Sequence, residues 1–159
     1  MERNLNLVRR LPRRARMAGF TLVELLTTIV IVSILVAVAV PAFNAQTRKS
    51  RRTEARTALL DIASREERLY STTNTYSQTA SDLGYTGSWP QAVGSGYYTV
   101  NVTFAAATST TPSTFTATAS PVTGKGQDKD TKCASFQVIQ TGAQTATDSG
   151  GSTSTSSCW

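Results

Sequence analysis

The sequence predicts an α+β fold: one long N-terminal helix, half membrane-spanning and half amphipathic, packed on a small antiparallel sheet. Three observations predict it. Phe20 to Val40 is an apolar run broken only by Thr21, Glu24, Thr27, Thr28 and Ser33. Beyond it, Ala55, Ala58, Leu59, Ile62, Ala63, Leu69 and Tyr70 recur at three- and four-residue steps with charged residues between them, the period of a half-buried helix. After residue 96 the period drops to two in three separate stretches, which is the mark of strands with one face covered.

Ahead of the apolar run, residues 1–19 hold six arginines and one acid, Glu2. The whole chain has 16 Lys or Arg against 10 Asp or Glu, so most of its net charge of +6 belongs to this leader. What remains is close to neutral, and a general nucleic-acid surface loses its compositional support. The arginines place residues 1–19 in the cytoplasm and the rest of the chain across the membrane.

Residues 20–40 would rise about 31 Å as a helix at 1.5 Å each, enough to cross the hydrocarbon core. Glu24 stands inside this run. A carboxylate in that position costs roughly 2.5–3.5 kcal/mol on insertion scales, so it calls for a function. A secretory signal cut near Ala37-Val-Ala39 or after Pro41 gives Glu24 no purpose, and neither does a plain membrane anchor. Cleavage after Gly19 does: it frees an amino group on Phe20, four residues from Glu24. Glycine suits such a site because the backbone can enter a protease cleft without side-chain hindrance.

Pro41 lacks an amide hydrogen and crowds the preceding turn, so a kink or loosened turn is expected near residues 37–41. The helical pattern resumes at once through residues 41–72, giving one helix from about Thr21 to about Ser71. Residues 73–159 form the exported head. A connection of about 25 residues follows the helix, with Tyr85 and Trp89 as its anchors. Strands are expected over 97–105, 114–119 and 134–140, joined as an antiparallel meander. In the first, Tyr98, Val100, Val102 and Phe104 share the buried face. A fourth strand near 153–158 has no clear pattern. Cys133 and Cys158 bracket a segment rich in Ser, Thr and Gly, and export to an oxidising compartment makes them a disulfide pair.

Gly19-Phe20-Thr21-Leu22-Val23-Glu24-Leu25-Leu26 resembles the cleavage and methylation motif of the type IV pilin family. The resemblance extends through Pro41 to about Tyr76, and returns at Cys133 and Cys158-Trp159, which resemble the disulfide-bounded loop of PilE-type minor pilins. It implies a pilin-like fold and a structural subunit of a type IV pilus, supporting adhesion and twitching motility. It also implies that a prepilin peptidase cuts between Gly19 and Phe20 and that Phe20 becomes N-methylated. Glu24 is then an assembly residue, pairing with the Phe20 amine of a neighbouring subunit and fixing axial register. The expected partners are other pilin subunits, the peptidase, the assembly machinery and, before assembly, the inner membrane, with the C-terminus periplasmic. After assembly the site is the cell-surface pilus.

The same N-terminal motif is shared by type II secretion pseudopilins and by competence pilins that take up DNA, and both stay as alternatives. The late disulfide argues against the first. Nucleic acid is not an expected partner, since Arg48, Lys49, Arg51 and Arg52 read first as a solvated or headgroup-facing turn. No enzyme is expected: the chain has no histidine, and no nucleophile–base pair or metal-ligand spacing can be assembled from it. No cofactor is expected. Asp128-Lys129-Asp130 faintly resembles a calcium loop, which the interposed lysine opposes. The sequon at Asn101-Val102-Thr103 falls mid-strand.

Overall fold

The computed structural model describes residues 19–159. It divides into two compact units, one ending at Pro41 and one covering Ala42–Trp159. The expected cytoplasmic leader lies outside the described residues, apart from Gly19.

Helix α1 spans Leu22–Thr73. It starts where Thr21 accepts a hydrogen bond on its hydroxyl from the Glu24 amide at 3.2 Å, an N-cap that satisfies one of the free amides of the first turn. It stops at Asn74, which takes a positive φ of 56° and donates its amide to Tyr70 at 2.8 Å. Asparagine is one of the few residues that enters this left-handed conformation easily. Pro41 lies inside α1.

In the second unit, five strands form one antiparallel sheet in chain order: β1 (Gln91–Val93), β2 (Tyr98–Ala105), β3 (Thr114–Pro121), β4 (Ser135–Ile139) and β5 (Gln144–Thr147). The expected meander is present, with two short strands added at its edges. Its register alternates large and small side chains across the buried face: Val100 opposite Ala119, Ala119 opposite Phe136, Phe136 opposite Ala146. The alanines of the central strand leave room that Leu59 and Ile62 of α1 help to fill, and these residues share one core with Tyr98, Phe115 and Val138. Ala55, Leu59, Ile62 and Glu66 are the fully buried positions of the helix, spaced four, three and four residues apart.

Two differences from the sequence reading have physical reasons. The segment expected as a fourth strand near 153–158 is a single bridge at Thr153 followed by a short helix α2, Thr155–Cys158. There the backbone of Ala146 donates to the Thr155 hydroxyl, and the Trp159 indole donates to Thr145 at 2.7 Å. Such pairing comes from distant partners and leaves no local period. Glu66, which its charge assigns to the outer face, is instead 0% exposed.

The connection between α1 and β1 is ordered by a short 3₁₀ helix, Ala80–Leu83, that buries Ala80 and Leu83. Tyr85 donates to Asp61 at 2.6 Å and its ring lies 5.3 Å from that of Trp89, so both expected anchors hold this connection. Gly84 closes the short helix at φ 76°, a conformation in which a side chain would be strained.

Candidate functional site

From Leu22 on, the described residues of the first unit form a helix whose side chains are all exposed. Its large apolar residues from Leu22 to Val40 are 50–78% exposed, and Phe20 is 83% exposed. It is long and apolar enough to cross a membrane by length and composition. Its few polar side chains turn inward on their own backbone. Thr27 and Thr28 both donate to the Glu24 carbonyl, at 3.0 and 2.7 Å, and Ser33 donates to the Ile29 carbonyl at 2.7 Å. Hydroxyls satisfied in this way can enter hydrocarbon without leaving a dry, unpaired donor.

That accounting leaves the Glu24 carboxylate as the one charge of the run. It sits in the first turn of α1, where the free amides of a helix N-terminus favour negative charge. Gly19 and Phe20 precede the helix in irregular backbone and are exposed. The structure therefore brings Gly19, Phe20 and Glu24 to one helix end, with the scissile bond of the expected motif outside the hydrogen-bonded ladder. Pro41 lies 17 residues beyond Glu24, at the end of the unit.

At the other end of the chain, Cys133 and Cys158 are joined in a disulfide, with Cα atoms 5.7 Å apart. The bond ties α2 to the chain just before β4. Both cysteines are buried in the core cluster, and Trp159 packs edge-on against Phe136 at 5.9 Å.

A basic face of the head emerges only in three dimensions. Arg52 makes a two-pronged ion pair with Asp130, at 2.7 and 2.8 Å, across 78 residues of sequence. Arg48 donates to the Lys129 carbonyl at 3.1 Å, and Lys125 donates to the Gly96 carbonyl at 2.9 Å. The loop after β3 is thus tied to the helix turn that carries Arg48, Lys49 and Arg51. The Arg51 guanidinium lies 3.5 Å above the Tyr97 ring, a cation–π contact. Buried beneath, Gln127 donates to the Tyr98 hydroxyl at 2.9 Å and to Asp130 at 3.2 Å. Burial pushes the Tyr98 phenol up to about 12, so it stays neutral. Asp130 is engaged by Arg52 on both oxygens. Among the described residues no cluster of three or more His, Cys, Asp or Glu could hold a metal ion.

Sequence reasoning missed this face. The signal available was the basic run 48–52 alone; its pairing with residues 125–130 needs the fold.

Comparisons with known proteins bear on both units. Residues 41–137 match the family model described as type IV minor pilin ComP, DNA uptake sequence receptor. Residues 14–40 match the prokaryotic N-terminal methylation motif. The type IV major pilin protein PilA of Myxococcus xanthus (strain DK1622) is 34% identical over 70 residues, which are 44% of this chain and 32% of that protein. The matched part of the chain spans about a third of the length of that curated relative.

Proposed function

The chain belongs to the type IV minor pilin ComP family, and from that premise we propose that it is a structural subunit of a type IV pilus that polymerises through its N-terminal helix. The observation that carries this reading is the exposed apolar surface of residues 20–40, which has no covering within the described residues. Lipid can cover it first and sister helices later, and transfer between two apolar surroundings costs little.

In this reading a prepilin peptidase removes residues 1–19 at the Gly19–Phe20 bond and methylates the new Phe20 amine. Before assembly the protein sits in the inner membrane with its head on the periplasmic side; afterwards it is in the cell-surface pilus. Glu24 gives the transfer a direction. A buried carboxylate must find a cation or become neutral, and the Phe20 amine of a neighbouring subunit supplies the cation at the right depth. Pro41 cannot donate to the carbonyl one turn back, so the uninterrupted helix α1 lacks one ladder hydrogen bond there. Adhesion and twitching motility follow from the fibre and its exposed head.

Glu24→Ala tests this reading. The variant is expected in the membrane fraction at normal abundance, while surface filaments are lost. Filaments in normal number on cells carrying only Glu24→Ala would overturn it.

The basic face supports a second reading, a competence pilin that contacts DNA. The family description names a DNA uptake sequence receptor. Arg51 with Tyr97 adds to the cation cluster the aromatic partner that the linear sequence did not supply. Retention on DNA that falls steeply with salt and is weakened in Arg51→Ala supports it; salt-independent or absent retention removes it.

A further inference from the structure

Glu66 is the one carboxylate of the second half of α1 that is fully buried, and nothing in pilus assembly as proposed above uses it. One oxygen, Oε2, accepts the amide of Ser77 at 3.1 Å across 11 residues. The other, Oε1, is buried without a hydrogen-bond partner. The acceptor therefore reaches directly from the helix to the connection that follows it.

The groups around it are of the wrong sign for a carboxylate. Glu67 on its own helix and Asp82 on the 3₁₀ helix both raise its proton affinity. Tyr76 of the connection donates to Glu67 at 3.0 Å, and the Ser77 hydroxyl donates to Asp82 at 2.6 Å. From the sheet, β3 presents Phe115 against Tyr76, with ring centres 4.9 Å apart, and neither β3 nor β4 carries a charged residue. Of the cations on the same helix, Arg65 is committed to Asp61 and to the Leu83 carbonyl, and Arg68 lines the same surface hollow as Asp82 without a hydrogen bond to it. Three carboxylates thus converge on residues 76–82 with hydroxyl and amide donors alone. The Trp89 indole nitrogen, in the same connection, is also buried without a partner.

We propose that Glu66 is a pH-sensitive latch: its neutral form seats the connection of residues 74–90 on the helix, and its ionisation releases that connection. A neutral carboxyl needs no counter-ion and still accepts the Ser77 amide. An ionised one in the same place carries an uncompensated charge against Glu67 and Asp82, and gains hydration when the connection lifts away. Burial, the largest cause, moves the Glu66 carboxyl up from 4.5 to about 7, with Glu67 and Asp82 adding to it and the Ser77 amide opposing. The folded form holds the proton more tightly than a free carboxyl does. Its stabilisation is therefore complete below the ordinary value and is lost as pH rises through about 7. Residues 74–90 would be seated in mildly acidic surroundings and looser above neutrality. The latch lies wholly within the head, so it does not depend on whether the helix polymerises.

Hydrogen–deuterium exchange on the full chain in detergent, at pH 5 and pH 8 and corrected for intrinsic rates, tests this. Protection of peptides covering residues 74–90 should fall by about tenfold or more at pH 8, while peptides from β2 to β4 hold steady. A carboxyl moved from 4.5 to about 7 binds its proton tightly enough to drive a change of that size. In Glu66→Gln, which keeps the shape and an acceptor, protection should be the same at both values. Equal protection at both pH values in the unaltered protein overturns the proposal, and so does an undiminished loss in Glu66→Gln. Should that variant not fold, carboxyl carbon NMR of the unaltered chain decides: a Glu66 midpoint near neutrality supports the latch, and an ordinary carboxylate midpoint overturns it.

Discussion

Leu35 and Leu59 are the same residue type in the same helix, Leu22–Thr73, yet Leu35 is 62% exposed and Leu59 is 0% exposed. Backbone geometry does not separate them; what the rest of the chain supplies does. Around Leu59 the helix alternates apolar and charged residues at helical spacing, and a sheet with an apolar face is built by the same chain to meet it. Around Leu35 the helix is apolar on every side, and among the described residues no element covers it. A stripe specifies one partner surface in a fixed place, whereas an all-round apolar surface accepts any apolar surrounding. The first arrangement closes a core within the chain, and under the assembly proposed above the second keeps a helix free to pass from lipid to a fibre.

Truncating the two leucines should therefore give opposite results. Leu59→Ala leaves a cavity in a closed core and should destabilise the head by about 4 kcal/mol, read as a lowered midpoint of thermal or denaturant unfolding in detergent. If it unfolds as the unaltered protein does, the core assignment of the helix fails. The C-terminal segment is a third case, held neither by a stripe nor by lipid. Ten of residues 141–157 are Ser or Thr, so little apolar area fixes them. The Cys133→Ser, Cys158→Ser double variant should lose about 3.5 kcal/mol in the chain-entropy account, with exchange of residues 141–159 rising while α1 stays protected.

Asp130→Ala should cost less, about 2 kcal/mol, as typical for charged hydrogen bonds that are only partly buried. It frees Arg52 and loosens the loop after β3, measurable as faster exchange of residues 122–132. Leu35→Ala should change head stability by less than about 0.5 kcal/mol; a larger loss would mean that the apolar half of the helix is part of the head's core after all.

The long elements of this fold were legible because each carries its own period. The helical stripe placed Ala55, Leu59 and Ile62 on the core side, and the alternation of β2 placed Tyr98, Val100 and Val102 there too. β1 and β5 were not legible. Gln91–Val93 is three residues long, and Gln144–Thr147 buries only Ala146, so neither shows a period before its neighbour supplies the ladder. Glu66 escapes for a related reason. Its spacing fits the buried stripe, but a carboxylate is normally assigned to the outside, and the Ser77 amide that occupies it lies in a connection with no pattern. The ion pair of Arg52 with Asp130 has the same character, since 78 residues separate its partners. At the N-terminus the opposite holds: Gly19, Phe20 and Glu24 are close neighbours in the sequence, so their placement at one helix end needs no distant partner, whatever their role.

The central claim is that the working protein begins at Phe20 and keeps the apolar helix. Intact mass and N-terminal sequencing of the protein recovered from surface filaments test it most directly. The account predicts a chain that starts at N-methylated Phe20 and retains residues 20–40. A chain that starts after residue 37, without that helix, would contradict it.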